Sequence, residues 1–142
     1  MCDKCDIGGV LREKGLARTG TREAVFAVLA EANRPLTVKE VLSGVRRTGS
    51  IDKATAYRTL HTFEEVGAVR RVPVGDGVTR YGLALMPFHP PHAHFVCSKC
   101  RVVSCVEGLS TRRLMGAARK VTDERPEDVS VVLVGTCSRC SK

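Results

Sequence analysis

The chain has 142 residues, a formal net charge of +8, 4% aromatic residues and no tryptophan, so its core must come from Val, Leu and Ala, and so small a core needs a staple. Its longest aliphatic run, Val131 to Val134, is far short of a membrane span, and the charged opening MCDKCDIGG is unlike a signal peptide; we therefore expect a cytoplasmic protein without a membrane partner. In a reducing compartment the seven cysteines point to metal rather than disulfides, and the positive charge, about +6 once four thiolates hold one zinc ion, points to a polyanion.

Residues 1 to 83 read as short helices and a hairpin. A first helix is expected from Cys5 to Lys14, stopping at Gly15, and a second from Thr21 to Asn33, with Val25, Val28 and Leu29 at helical spacing. After Pro35, the run Thr37-Val38-Lys39-Glu40 matches the capping box, with Val41, Leu42 and Val45 as the buried face behind it. Asp52 is the expected cap of a further helix that ends at Gly67. Ala56, Leu60 and Phe63 form its apolar stripe, while Lys53, Tyr57 and His61 project from the other side, with Arg58 beside them. Cationic and aromatic groups on a helix whose back is anchored have the layout of a recognition helix. VRRVPV, Gly75-Asp76-Gly77 and VTRYGL then predict a basic hairpin carrying Arg70, Arg71 and Arg80. Helices followed by such a hairpin make a winged helix-turn-helix.

Residues 84–91, with prolines at 87, 90 and 91, predict a stiff, extended hinge. Beyond it, FVC, VVSCV, a helical stretch from Leu109 to Val121 and VSVVLVG predict an α+β unit over residues 92–142. The knuckles Cys97-Ser-Lys-Cys100 and Cys137-Ser-Arg-Cys140 each present two thiolates, and together they supply the four ligands of one structural zinc. His92 and His94, two apart, share one face of a strand. If the first knuckle closes a simple hairpin, His92 lies across from Cys105, and two imidazoles and a thiolate meet at a second metal, with His89 as a further ligand. A one-residue slip would turn Cys105 to the other face; the histidines would then be a polar strand edge and Cys105 a small buried hydrophobe.

The stretches GLARTGTREAVFAVL, PLTVKEVL, KATAYRTLHTFEEVGAVRRV, HAHFVCSKC and GTCSRC resemble, in this order, those of the ferric uptake regulator superfamily of metal-responsive bacterial repressors. The resemblance implies a homodimer with an N-terminal winged helix, a hinge and a C-terminal α+β dimerisation domain, bound to palindromic operators in double-stranded DNA. It places Tyr57 and Arg58 on the signature of the recognition helix and Arg22 at the opening of the second helix. Ala17 stands where a basic residue reaches the minor groove, with Arg18 next to it. Cys97, Cys100, Cys137 and Cys140 match the structural zinc set, and His92 and His94 the sensory site, where Cys105 replaces the usual glutamate. Pro35, Gly82 and Ala84 occupy positions that often hold further ligands of that site; Pro91, Ala93 and Val129 occupy those of another.

The expected function is therefore a metal-dependent transcriptional repressor, not an enzyme, with structural Zn2+ and a second divalent metal, Zn2+ or Fe2+, at His92, His94, Cys105 and His89. Arg18, Arg22, Lys53, Thr55, Tyr57, Arg58, Arg70 and Arg71 are the expected DNA contacts. One alternative is a redox-responsive or constitutive regulator holding only structural zinc, with Cys105, Cys2 or Cys5 as the reactive thiol. Another is an oxidoreductase that uses the CxxC pairs.

Overall fold

The computed structural model describes residues 7–32, 34–84 and 92–142. His89, Cys2, Cys5, Asn33 and residues 85–91 of the expected hinge lie outside the described residues. The chain divides into two compact units, Met1–Pro90 and Pro91–Lys142.

The first unit contains α1 (Ile7–Glu13), α2 (Gly20–Ala32), α3 (Val38–Val45), α4 (Lys53–Glu65) and a hairpin of β1 (Val69–Arg71) and β2 (Tyr81–Leu83). Local chemistry sets most of these boundaries. Gly67, at φ 73°, lets the chain leave α4 through paired bonds from Ala68 N–H to the Phe63 carbonyl and from Gly67 N–H to the Glu64 carbonyl, the glycine-terminated motif that satisfies the last carbonyls of a helix. The capping box of α3 is present in both directions: the Thr37 hydroxyl accepts from Glu40 N–H at 3.2 Å, and the Glu40 carboxylate accepts from Thr37 N–H at 2.8 Å. Burial costs that carboxyl some of its charge stability, but the Thr37 N–H and the Arg34 guanidinium outweigh it and hold its pKa below the usual range. Asp52 caps α4 by accepting from Thr55 N–H at 2.6 Å.

The apolar stripe of α4 faces inward as expected. Ala56, Leu60 and Phe63 are fully buried among Val25, Phe26 and Leu29 of α2 and Val41 and Val45 of α3, and Phe63 meets Phe26 edge to face with ring centroids 6.2 Å apart. An isolated bridge between Leu36 and Tyr81 ties the turn before α3 to the hairpin. Arg80, on the expected hairpin, turns inward. Its side chain is 6% exposed and pairs with Asp76 at 2.9 Å. The ladder continues to Val72 N–H on the Arg80 carbonyl, and beyond it the Asp76 carboxylate organises the turn, accepting also from Val78 N–H.

In the second unit β3 (Ala93–Cys97) lies between β4 (Val103–Val106) and β5 (Val132–Gly135), with α5 (Thr111–Val121) on the crossover. β3 pairs antiparallel with β4 and parallel with β5. Ala93, Val96, Cys97 and Val103 form its small buried core. The expected register is corrected: Cys105 lies opposite His94, not His92. The knuckle is not a two-residue turn; Cys97 N–H donates to the Val102 carbonyl and Arg101 N–H to the Cys97 carbonyl, so residues 98–101 make the loop, with Arg101 in the left-handed region at φ 63°. The register therefore shifts by two residues, an even number, and Cys105 keeps the same face as both histidines. Ser110 caps α5 by accepting from Arg113 N–H. Among the described residues no helix is long and apolar enough to cross a membrane.

Candidate metal centres and nucleic-acid face

Parallel pairing of β3 with β5 sets Cys97 beside Gly135, so the two knuckles leave the same end of the sheet. They are held together by Ser98, whose N–H and hydroxyl both reach the Gly135 carbonyl, at 2.8 and 3.1 Å, and by Lys99 Nζ on the Cys140 carbonyl. Each knuckle is a tight turn: Cys140 N–H and Ser141 N–H both donate to the Cys137 carbonyl. The sulfurs of Cys97, Cys100, Cys137 and Cys140 all lie within 4.8 Å of one another, and Cys100 Sγ is 3.7 Å from Cys137 Sγ. A zinc ion about 2.3 Å from each of four sulfurs sets a tetrahedron edge of about 3.8 Å, so the donor set fits that ion in both kind and spacing.

The protonation pattern points the same way. Backbone N–H groups of Cys100, Cys137 and Lys99 stabilise the Cys97 thiolate and lower its pKa to about 6; Cys137 N–H lies 3.4 Å from that sulfur. Cys137 is lowered too, chiefly by the N–H of Cys140. Cys140 is pushed up to about 12, first by hydrogen bonding with Cys100 and Cys137. One sulfur is thus prepared as an anion while another keeps its proton, because neighbouring thiolates repel one another unless a cation lies between them.

A second set comprises His92, His94 and Cys105, each with one ligand atom within 4.8 Å of the others. The His92 and His94 rings are 4.7 Å apart between centroids and tilted by 52°, and His94 is buried while His92 and Cys105 are half-buried. Since Cys97 and Val102 are a hydrogen-bonded position of the ladder, alternation makes His94 and Cys105 a non-hydrogen-bonded pair, the closer kind, with Cα atoms about 4.5 Å apart. Three donors at this spacing would hold one ion and leave a coordination position of a four-ligand site open. The four knuckle thiols meet at one point and do not form two separate reactive pairs, which removes the basis of the oxidoreductase alternative.

On the first unit, α4 carries Tyr57, 45% exposed, with Lys53 Nζ 5.9 Å from its ring centre. Arg58 Nη2 donates to the Thr55 hydroxyl at 3.3 Å. Other candidates are engaged within the unit. Arg18 pairs with Glu23, Arg22 donates to the Ala17 carbonyl at 2.8 Å, and Arg71 pairs with Glu64 at 3.0 Å. Arg70 is half-buried. His61 sits between carboxylates, 3.5 Å from Glu65 and 4.0 Å from Glu64. A cleft of about 650 Å³ between α3, α4 and the hairpin gathers Lys39, Lys53, Tyr57, Arg71 and Thr79. Sequence reasoning left out Lys39, which it treated only as the interior of a capping box; its place as the second residue of α3, the helix before α4, was the available signal.

The ferric uptake regulator family model matches residues 13–129. The chain is similar to the ferric uptake regulation protein of Bacillus subtilis strain 168, 30% identical over 125 residues that cover 87% of this chain and 84% of the relative. It is also similar to the peroxide-responsive repressor PerR of Staphylococcus saprophyticus, 24% identical over 131 residues covering 92% and 86%. Among solved structures, that of the Vibrio cholerae ferric uptake regulator aligns with a TM-score of 0.74 at 26% identity, covering 93% of this chain and all of the other. With a winged helix, a strand-rich unit holding clustered cysteines and this breadth of match, the chain belongs to the ferric uptake regulator family of metal-responsive, DNA-binding transcriptional regulators, which are not enzymes.

Proposed function

We propose that this chain is a cytoplasmic, homodimeric repressor that binds palindromic operators in double-stranded DNA when a second metal ion is bound. The observation that carries the reading is the presence of two ligand sets in one small unit, one with four thiols and one with three donors. A closed tetrahedral set suits a permanent zinc, and a set with an open position suits an exchangeable ion. Cys97, Cys100, Cys137 and Cys140 hold the structural zinc. His92, His94 and Cys105 take the sensed ion, zinc or ferrous iron rather than manganese, because a thiolate and two imidazoles favour softer metals than oxygen ligands do.

Tyr57 reads base edges while Arg18, Arg22, Lys53, Thr55, Arg58, Arg70 and Arg71 position the protein on phosphates. Leu114 and Val121 of α5 and Leu133 and Val134 of β5 are exposed, an apolar surface that a second copy would cover. The test is elemental analysis of reduced protein before and after a mild chelator, followed by selection of duplexes from a random pool with and without metal. Two metals per chain falling to one, with sequence-selective binding lost in step, supports the reading; metal-independent selection of the same sequences refutes it.

The thiol at Cys105 favours one second reading, in which an oxidant converts it to a sulfenic acid and so removes a metal ligand. Peroxide would then abolish binding in the parent protein but not in a Cys105→Asp variant that still binds metal.

A further inference from the structure

The helix α5 has three distinct faces. Thr111, Met115 and Ala118 are buried or half-buried; Leu114, Ala117 and Val121 form an exposed apolar stripe; and Arg112, Arg113, Arg119 and Lys120 are all exposed. At about 100° per residue these four cations fall within roughly 120° of arc. They make two rows, Arg112 with Arg119 and Arg113 with Lys120, each row about 10.5 Å long at 1.5 Å per residue. Gly116 lies between the rows with nothing within 4 Å of where a Cβ would stand, so no side chain interrupts the face.

Two further features set this face apart from an ordinary solvated one. The helix contains no acidic residue, and among the described residues none of the four cations forms an ion pair, although Asp123 and Glu124 follow closely in sequence. In addition, Arg112 and Arg113 occupy the first turn, directly after the Ser110 cap, where the helix dipole disfavours positive charge. A sequence under selection for helix stability alone would place acids there, and a local rule broken without compensation marks function.

We propose that this face of α5 is a second DNA-contacting surface, one that binds the phosphate backbone of double-stranded DNA without regard to sequence. The inference rests on the reading of the chain as a DNA-binding regulator. Duplex DNA fits the geometry better than an anionic membrane does. A helix lying in a bilayer surface needs its cations to flank its apolar stripe, and here the centre of the cationic arc is about 130° from the centre of the stripe. Were Leu114 and Val121 seated in lipid, the arginines would point largely away from the headgroups. A rigid polyanion with closely spaced phosphates satisfies four unpaired cations on one face.

The test uses the full-length, metal-loaded protein and a random-sequence duplex, with affinity read by fluorescence anisotropy between about 50 and 200 mM salt. In the R112Q/R113Q/R119Q/K120Q variant the slope of log affinity against log salt should fall by about 0.9 for each phosphate that is no longer neutralised, between about two and four per protomer. Affinity at the lowest salt should drop at least roughly tenfold, with helix content and dimerisation retained. The charge-conserving set R112K/R113K/R119K should keep the parent slope. An unchanged slope in the glutamine variant overturns the proposal, as does a reduced slope in the lysine set, which would mean a structural effect. So does binding of the parent protein to phosphatidylserine vesicles combined with an unchanged DNA slope, which would make a membrane the occupant. If the parent protein binds no duplex and selects no sequence, the regulator reading fails and this inference with it; if it selects a sequence and only the slope prediction fails, the regulator reading stands alone.

Discussion

Two aromatic residues six positions apart on α4 separate folding from the proposed recognition of DNA. Phe63 is fully buried and stacks edge-on against Phe26, whereas Tyr57, about 120° away around the helix, is 45% exposed. Replacing a buried phenylalanine by alanine costs about 3–5 kcal/mol, of which the aromatic pair accounts for about 0.5–1.5 kcal/mol. In a domain of this size each kcal/mol shifts Tm by about 4–8 °C, so Phe63→Ala should lower the melting temperature of the winged-helix unit by roughly 12–40 °C. Tyr57→Ala removes surface interactions worth within about 0.5 kcal/mol and should move Tm by no more than about 4 °C. Its effect belongs to DNA: without a base interaction worth about 1–3 kcal/mol, discrimination between the selected operator and a mismatched duplex should fall by roughly 5- to 150-fold. Thermal unfolding followed by circular dichroism, alongside anisotropy on the two duplexes, reads both effects. If Tyr57→Ala lowers Tm as far as Phe63→Ala, or leaves discrimination intact, the assignment of the two faces of α4 is wrong.

Three further outcomes follow from particular contacts. Because the pKa of Cys97 is depressed from 9.0 to about 6, the stability its thiolate brings to the metal-free fold is present above about pH 9 and lost as pH falls through about 6; metal-free protein should therefore become easier to unfold with urea between about pH 9 and 6, and a pH-independent midpoint would contradict this. Arg101→Gly relieves a left-handed backbone position in a non-glycine residue and should raise stability by about 0.5–1 kcal/mol with metal content unchanged, as measured by urea unfolding. Arg71→Gln removes a cation that pairs with Glu64 at 3.0 Å in the free protein and should flatten the salt dependence of DNA binding by about 0.9 per protomer; an unchanged slope would mean Arg71 does not approach phosphate.

Much of the first unit was legible because its signals are local. The capping box at Thr37 and Glu40, the cap at Asp52 and the stop at Gly67 each depend on residues within a few positions, and all three are present in the fold. The two CxxC knuckles were legible for the same reason, since each is a self-contained turn. What escaped was whatever depends on a turn whose geometry its residues do not announce. Arg101 occupies a left-handed position that a glycine would have signalled, so the hairpin register was read two residues off. The inward turn of Arg80 was hidden because it is buried next to Tyr81, against strand alternation, and because the partner that draws it in, Asp76, lies in the turn. Ser110 was an available cap for α5, and it sets the start at Thr111 rather than Leu109.

The parallel pairing of β3 with β5 has a bearing on how the protein is made. Cys97 and Cys137 are separated by 40 positions, and at about 5–20 residues per second of synthesis the second knuckle follows the first by roughly two to eight seconds. Throughout that interval β3 lacks its parallel neighbour and the first knuckle offers only half a coordination sphere. The four-thiol cluster therefore cannot close before β5 and the second knuckle have been made, and its closing marks that the strand order of this unit is complete.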